Sequence, residues 1–137
     1  MIITHKKYIG DLGEEISCRF LKQKSFIIKD RNYRKKYGEI DIIALKDNIL
    51  HFIEVKSVSR QKNIFQKNTT EYAPEDNVHS WKLKRLSRTI ESYLLDDKKC
   101  SHNKKNYDWQ FDVIVVLLYK NDKKVEIKFL QNIILKQ

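Results

Sequence analysis

Flexible and cross-linking residues are scarce in this sequence. It has one proline and three glycines, so it has no Gly/Ser-rich or Pro-rich linker that would separate two domains. It has two cysteines, Cys18 and Cys100, and no C-x-x-C pair, which excludes a zinc ribbon and fits a reducing cytosol. We therefore expect residues 1–137 to form one domain around a single core.

Long apolar segments are also missing. The N-terminal residues, Met1 to Lys7, lack the apolar run of a signal peptide, and we expect no leader. The longest apolar run, Val113 to Tyr119, is far shorter than the roughly 20 residues with which a helix crosses a bilayer. These two absences predict a cytoplasmic protein that does not cross a membrane.

Basic residues, by contrast, are in excess. Lys and Arg number 28 against 18 Asp and Glu, which gives a formal net charge of +10. A charge of this size favours a polyanionic partner, with nucleic acid first and an anionic membrane surface second. A lysine-rich composition also keeps a protein soluble without any partner, so the charge indicates a class of partner and nothing about the fold.

Hydrophobic periodicity predicts two helices and five strands. Apolar residues recur at helical spacing from about Tyr8 to Lys24 and from Val78 to Leu95. The stripe of the first helix consists of Ile9, Leu12, Ile16 and Phe20. Strands are predicted over Phe26–Tyr33, Gly38–Lys46, Ile49–Val58, Phe111–Tyr119 and Lys124–Leu130. The order α-β-β-β-α-β-β predicts an α/β domain with one mixed five-stranded sheet flanked by helices.

Two connecting segments inform the prediction, one as a candidate functional loop and one as a hairpin turn. A polar stretch from Ser59 to Asn77 has no periodicity, and loops of that length in compact domains are often functional. Asp47-Asn48 is a turn signal between the second and third strands, which makes them a hairpin with Lys46 opposite Ile49. Counting back from this turn gives two further cross-strand pairs, Asp41 with Glu54 and Glu39 with Lys56.

Opposed carboxylates in this hairpin suggest a metal site. Cβ atoms directly across a sheet are roughly 4.5–5.5 Å apart, so Asp41 opposite Glu54 is destabilising unless a cation compensates. Mg²⁺ prefers such oxygen ligands, and Lys56 on the face of Glu54 would orient a water or stabilise charge on a phosphate. The alternative is a Glu39–Lys56 ion pair with both acidic residues on a solvated face. The spacing leaves the two interpretations open, although the strands are otherwise apolar.

The same residues carry a resemblance to a known family. Gly38-Glu39-Ile40-Asp41 followed by Ile53-Glu54-Val55-Lys56 resembles the Asp…Glu-x-Lys signature of the PD-(D/E)XK nuclease superfamily. More narrowly, the chain is similar to the uncharacterised bacterial YraN family, which looks related to archaeal Holliday-junction resolvases. The likeness covers nearly the whole chain, and its companion motifs are Gly10-Asp11-Leu12-Gly13-Glu14, Arg31-Asn32-Tyr33-Arg34, Lys82 and Phe111-Asp112.

The resemblance implies a restriction-endonuclease-like core and a metal-dependent endonuclease that hydrolyses phosphodiester bonds in DNA, branched or distorted DNA included. It implies that Mg²⁺ or Mn²⁺ is held by Asp41, Glu54 and the carbonyl of Val55, with Lys56 assisting the attacking water. Glu14 would approach from the first helix as a further catalytic group. Periodicity alone makes the neighbouring Glu15 an equal candidate for that last role.

Basic residues near these motifs are the expected contacts to nucleic-acid phosphates, which position a protein without specifying sequence. They are Lys82, Arg34, Lys35, Lys36 and Arg60. One alternative function is a nucleic-acid-binding module that keeps the nuclease fold with little or no turnover, and another is a protein-interaction adaptor. Resolvase-like action on a symmetric junction would favour a C2 homodimer.

Histidines and one further aspartate are harder to place from sequence. The four histidines are scattered without metal-ligand spacing, so we expect structural or surface roles for them. Asp112 opens a buried strand, where it either abuts the site or caps a turn.

Overall fold

Two helices and five strands make up the described part of the chain. The computed structural model describes residues 4–60, 80–96, 108–121 and 123–134, with only the backbone described for residues 80–83. The elements are α1 (His5–Gln23), β1 (Ile27–Lys35), β2 (Gly38–Lys46), β3 (Ile49–Arg60), α2 (Ser80–Leu95), β4 (Asp108–Tyr119) and β5 (Lys124–Leu130). The predicted order of elements is confirmed. Strand β3 continues to Arg60, and the rest of the predicted loop up to Asn77 lies outside the described residues.

All five strands belong to one mixed sheet. Their spatial order is β1-β2-β3-β4-β5, with β3 and β4 parallel and every other neighbouring pair antiparallel. A parallel pair needs a crossover connection, and α2 lies between β3 and β4 in the chain. The sheet confirms the predicted architecture and places β3, which carries Glu54 and Lys56, at its centre.

The β2–β3 hairpin forms at the predicted turn. Asp47 and Asn48 have φ angles of 51° and 63°. Left-handed angles at both central residues are typical of the two-residue turns that match the twist of a hairpin. Lys46 lies opposite Ile49, as the turn predicts.

Helix α1 approaches the sheet through small residues. Its fully buried face consists of Gly13, Ser17, Cys18 and Leu21, whereas the predicted stripe of Ile9, Leu12, Ile16 and Phe20 is only half-buried. A Cβ added to Gly13 would lie 1.7 Å from Ser57 Oγ. The helix therefore lies closer to β3 than any larger residue at position 13 would permit. Among the described residues, neither helix is long and apolar enough to span a membrane.

The sheet is covered on both sides by separate apolar clusters. One cluster includes Ile42, Ile53 and Ile114 and packs against buried residues of α1. The other includes Phe52 and packs against buried residues of α2, among them Tyr93. Residues 111–117 of β4 are all buried, which confirms the prediction of a strand covered on both faces.

Candidate active site

The carboxylate of Asp41 lies where β2 and β3 separate. Pairing of the two strands runs from the turn to Ile42 opposite Ile53 and ends there. In place of the next pair, Asp41 Oδ2 accepts a hydrogen bond from Val55 N at 2.7 Å. The predicted register is right as far as Ile42. The two pairs predicted beyond it are not formed in the described strands, because a side chain has replaced the backbone ladder.

The alternation of side chains along β2 is interrupted at Asp41. Strict alternation would place Ile40 and Ile42 on the same side of the sheet. Instead, Ile40 packs in the cluster beside α2 and Ile42 in the cluster beside α1. Across the sheet, Asn32 of β1 lies between the paired residues Arg31 and Tyr33 and has a φ of 51°. This local irregularity directs the Asp41 carboxylate towards β3.

Glu54 and Lys56 form a close pair on β3. Lys56 Nζ lies 3.1 Å from Glu54 Oε1, with 35% of the Lys56 side chain and 20% of the Glu54 side chain exposed. The pair has the one-face arrangement that alternation predicts. The alternative ion pair between Glu39 and Lys56 is not what forms, because Glu39 Oε2 lies 3.1 Å from Arg34 Nε on β1.

Helix α1 supplies Glu14 to this site, while Glu15 has other partners. Glu15 lies 3.6 Å from Arg19 Nε and 3.3 Å from Arg31 Nη1. Glu14 lines a groove together with Val55, and its charge acts on Asp41. The geometry therefore favours Glu14 for the role that periodicity left equally open to Glu15.

Asp41 is a partly buried carboxyl group with negatively charged neighbours. Burial raises the pKa of Asp41 to about 7, against the lowering effect of the hydrogen bond from Val55 N. The negative charges of Glu14, Glu54 and Glu39 contribute to this increase. A carboxyl group with such neighbours gains from a cation close by.

The donor set fits a hard divalent cation that is shared with substrate. Within the described residues, no group of three or more His, Cys, Asp and Glu could hold a metal ion. Mg²⁺ needs no such cage, because it commonly binds one or two carboxylates and completes its shell with waters and substrate phosphates. Asp41, which accepts the hydrogen bond from Val55 N, and Glu54, whose charge acts on Asp41, match that requirement in kind and number.

A groove between α1 and β3 adjoins the site, and its lining includes two serines that the sequence did not indicate as site residues. The groove has a volume of about 380 Å³, and Lys6, Glu14, Ser57 and Ser59 lie in its lining. The hydroxyl oxygens of Ser57 and Ser59 are buried without a hydrogen-bond partner among the described atoms. Neither serine belongs to a motif that carries the family resemblance.

Most of the predicted phosphate contacts lie at the same end of the sheet as Asp41. Strand β1 ends at Lys35 and β3 ends at Arg60, while β2 begins there at Gly38. Arg34, Lys35 and Lys36 are exposed and Arg60 is half-buried. We call these four residues the basic edge. Lys82 lies in the first turn of α2, and its side chain is outside the described residues.

Helix α2 brings one cation, Arg88, to this end of the sheet. The guanidinium of Arg88 lies 5.9 Å from the ring centre of Tyr37, next to the basic edge. Gly38 explains why α2 comes so close, since an added Cβ would lie 2.6 Å from Thr89 Oγ1. The fold therefore places a charge of α2 near the start of β2.

Asp112 has a different environment from Asp41. It is completely buried, and its Oδ1 accepts hydrogen bonds from Gln110 Nε2 and Asn132 N, both at 2.8 Å. Its Oδ2 lies 2.5 Å from Nδ1 of His51, which is also buried. Of the two predicted roles for Asp112, the observed one is to cap the backbone that follows β5.

The chain is similar to proteins of one described family. The model of "Uncharacterised protein family UPF0102" matches residues 13–116, a range that contains every residue of the site. A UPF0102 protein of Campylobacter lari is 42% identical over 124 residues, which cover 90% of this chain and 91% of the relative. A Campylobacter jejuni relative is 42% identical over 129 residues, covering 93% and 96%. A Clostridium perfringens relative is 38% identical over 130 residues, covering 93% and 94%.

Proposed function

The chain belongs to the uncharacterised protein family UPF0102, identified from the sequence as the YraN family, and we propose that it is a metal-dependent endonuclease acting on DNA. One observation carries the proposal. The partly buried Asp41 carboxylate accepts a hydrogen bond from the backbone between Glu54 and Lys56, and its burial, together with nearby negative charges, raises its pKa to about 7. The family description and the names of the relatives state no activity, so the proposal depends on the site.

Asp41 and Glu54 would hold Mg²⁺ or Mn²⁺, together with the carbonyl of Val55. When bound, such an ion polarises a phosphate and lowers the pKa of a coordinated water. The hydrogen bond from Val55 N fixes one oxygen of Asp41. The carboxylate is therefore held in one orientation before any ligand arrives, which reduces the entropy that binding has to overcome.

Lys56 is the group that acts on the phosphate. Its ammonium lies 3.1 Å from Glu54 Oε1 and is about one-third exposed, so a substrate can reach it. Next to a cation held by Glu54, the ammonium would orient the attacking water or stabilise charge on a phosphate oxygen.

Glu14 and the serine-lined groove are the supporting groups. Glu14 is close enough to influence Asp41 and lines the groove together with Val55, so it can position a water from the side of α1. Ser57 and Ser59 also line the groove, and their buried hydroxyl oxygens have no hydrogen-bond partner among the described atoms.

DNA is the substrate class that the charge distribution supports. The chain carries a net charge of +10, and the basic edge lies at the end of the sheet where Asp41, Glu54 and Lys56 are found. Neutralisation of several phosphates by such residues gives binding that depends strongly on salt. The resemblance to junction resolvases favours branched DNA, and two sites acting on one junction would require a C2 dimer.

Cleavage assays on a panel of branched, single-stranded and duplex DNAs test this proposal. With Mg²⁺ or Mn²⁺ we expect the wild type to cut at least one of them, and Asp41→Asn to reduce the rate by about 10²-fold or more. Glu91→Gln is a matched control, because it removes an exposed carboxylate of α2. Equal trace cleavage by the wild type and Asp41→Asn, or cleavage that persists in EDTA, would contradict the proposal.

A binding module without turnover is the second candidate. The observation that favours it is the ion pair between Lys56 and Glu54, because each of these groups has a partner within the protein. This candidate predicts DNA binding that falls with salt and survives Glu54→Gln, with no cleavage under any metal condition. Absence of DNA affinity at physiological salt would leave the adaptor role instead.

A further inference from the structure

A second cavity lies at the end of the sheet opposite the basic edge. It has a volume of about 470 Å³ and is bounded by the last part of α1, the β2–β3 turn and the residues after β5. Small-molecule sites commonly have volumes of roughly 300–1,000 Å³. His51, which lies in the lining, precedes Glu54 by three residues, or roughly 10 Å along β3. The cavity is therefore separate from the proposed active site.

The buried polar group of this cavity is the pair of His51 and Asp112. His51 is 5% exposed and Asp112 is 0% exposed. Asp112 Oδ2 lies 2.5 Å from His51 Nδ1, and its other oxygen is held by Gln110 Nε2 and Asn132 N. Since Nδ1 is engaged, Nε2 is the ring nitrogen that remains for a ligand. The imidazole is thus held in one orientation at the cavity wall.

Three phenyl rings form a continuous apolar wall next to His51. The ring centre of Phe26 lies 4.8 Å from that of His51 and 5.9 Å from that of Phe129. Phe129 in turn lies 5.9 Å from Phe20. All three phenylalanines line the cavity, so a planar ring bound there would find aromatic contacts over several ångströms.

Two lysines stand over the outer rings of this wall. Lys46 Nζ lies 5.1 Å from the ring centre of Phe26, and Lys24 Nζ lies 5.8 Å from that of Phe20. Among the described residues of the lining, Asp47 is the one acidic side chain, so the described cations are in excess at the mouth. An aromatic wall rimmed by ammonium groups, with an imidazole nitrogen beside it, matches a ligand that joins a planar ring to an anion.

We propose that this cavity binds one nucleotide unit, with its base against Phe26 and Phe129 beside His51 Nε2 and its phosphate near Lys46 and Lys24. The same chemistry belongs to a free mononucleotide and to the 5′-phosphorylated end of a single strand. The site uses neither Asp41 nor a metal, so it does not depend on the proposed nuclease function.

Titration calorimetry of the full chain in EDTA tests the proposal with thymidine monophosphate as the probe. We expect saturable binding that is about tenfold or more tighter than binding of thymidine or of inorganic phosphate alone. Lys46→Gln should weaken it about tenfold, whereas Lys120→Gln, an exposed lysine on the β4–β5 turn, should leave it unchanged. In NMR spectra, the imidazole resonances of His51 should shift with the same saturation curve.

Two hexanucleotides distinguish the sources of the ligand. Tighter binding of 5′-phosphorylated hexathymidylate than of its 5′-hydroxyl form assigns the site to strand ends, and equal binding of the two assigns it to free nucleotides. No saturable binding of thymidine monophosphate up to about 10 mM, or unchanged affinity in both Lys46→Gln and Lys24→Gln, would overturn the proposal. Asp41→Asn should bind like the wild type, so failure of the nuclease proposal is seen separately.

Discussion

Asp41 Oδ2 accepts a hydrogen bond from the backbone N–H of Val55, the residue between Glu54 and Lys56, at 2.7 Å. This contact lies where the β2–β3 ladder ends, so a carboxylate satisfies an N–H that a strand neighbour would otherwise bind. It holds two strands together and orients a candidate metal ligand in the same interaction. The energetic cost is that the carboxylate is partly removed from water and lies close to other negative charges, and both effects raise its pKa.

The first prediction concerns the pH dependence of stability in the absence of metal. Because the pKa of Asp41 is raised to about 7 from its usual 3.8, the folded protein binds more protons than the unfolded chain between these values. Stability from this group is full below about pH 4 and is lost as the pH rises to about 7. Asp41→Asn keeps an acceptor for Val55 N and removes the charge.

We therefore expect Asp41→Asn in EDTA to be more stable than the wild type at pH 8 by about 1–3 kcal/mol. The difference should shrink towards pH 5. Urea denaturation of both proteins at the two pH values measures it. A difference that is equal at both, or a variant less stable at pH 8, would show that the charge of Asp41 is already compensated in the folded protein.

The second prediction is that divalent cations restore the stability that the charged Asp41 carboxylate costs the folded protein at pH 8. A ligand that binds only the folded state stabilises it by about 1.4 kcal/mol at ten times its dissociation constant, or about 4 °C in Tm for a domain of this size. We expect Mg²⁺ or Mn²⁺ at pH 8 to raise the Tm of the wild type and of Glu91→Gln. Neither ion should raise the Tm of Asp41→Asn or of Glu54→Gln, as measured by calorimetry.

A third prediction uses the two glycines of α1 as a matched pair. A Cβ on Gly13 would lie 1.7 Å from Ser57 Oγ and 2.9 Å from Ser57 Cβ, whereas a Cβ on Gly10 would meet nothing within 4 Å. Gly13→Ala should destabilise the protein by about 1–3 kcal/mol through overpacking. Gly10→Ala should stabilise it by up to about 1 kcal/mol through helix propensity.

Urea denaturation of the two alanine variants provides the comparison. Adding Ser57→Gly to Gly13→Ala removes the clashing side chain and should recover much of the loss. If the two single variants behave alike, α1 does not approach β3 as closely as described.

Local patterns were sufficient to predict the elements and the hairpin register. Asp47-Asn48 defines the turn, and the count from it is right down to Ile42. It fails at Asp41 because the count assumes an unbroken ladder, whereas the carboxylate itself replaces the next backbone pair. Nothing in the spacing of apolar residues indicates that substitution, since it depends on how β1 and β2 pack around Asn32.

Long-range contacts account for what the sequence did not reveal. The buried face of α1 was only partly predicted, because periodicity selects large apolar residues such as Ile16 and Phe20, while close approach to β3 selects Gly13 and Ser17. The His51–Asp112 pair needs the parallel register of β3 and β4, which places Asp112 opposite Ile53. Two strands separated by α2 in the chain give no local signal of that register.

The last prediction tests whether DNA binding depends on where the lysines lie or only on the net positive charge. The double variant Lys35→Gln and Lys36→Gln removes two exposed cations of the basic edge, and Lys22→Gln with Lys29→Gln removes two exposed cations elsewhere. Both lower the net charge equally, so a purely nonspecific attraction would weaken by the same amount in each.

If the basic edge contacts DNA, only the first pair of substitutions should change the salt dependence. Each lost phosphate contact lowers the slope of log K against log salt by about 0.9, so we expect a slope shallower by about 1–2 and an affinity lower by about tenfold at low salt. Fluorescence anisotropy with a branched DNA at several salt concentrations measures both values. Equal slopes for the two double variants would place the DNA on another surface and remove the link between the basic edge and Asp41.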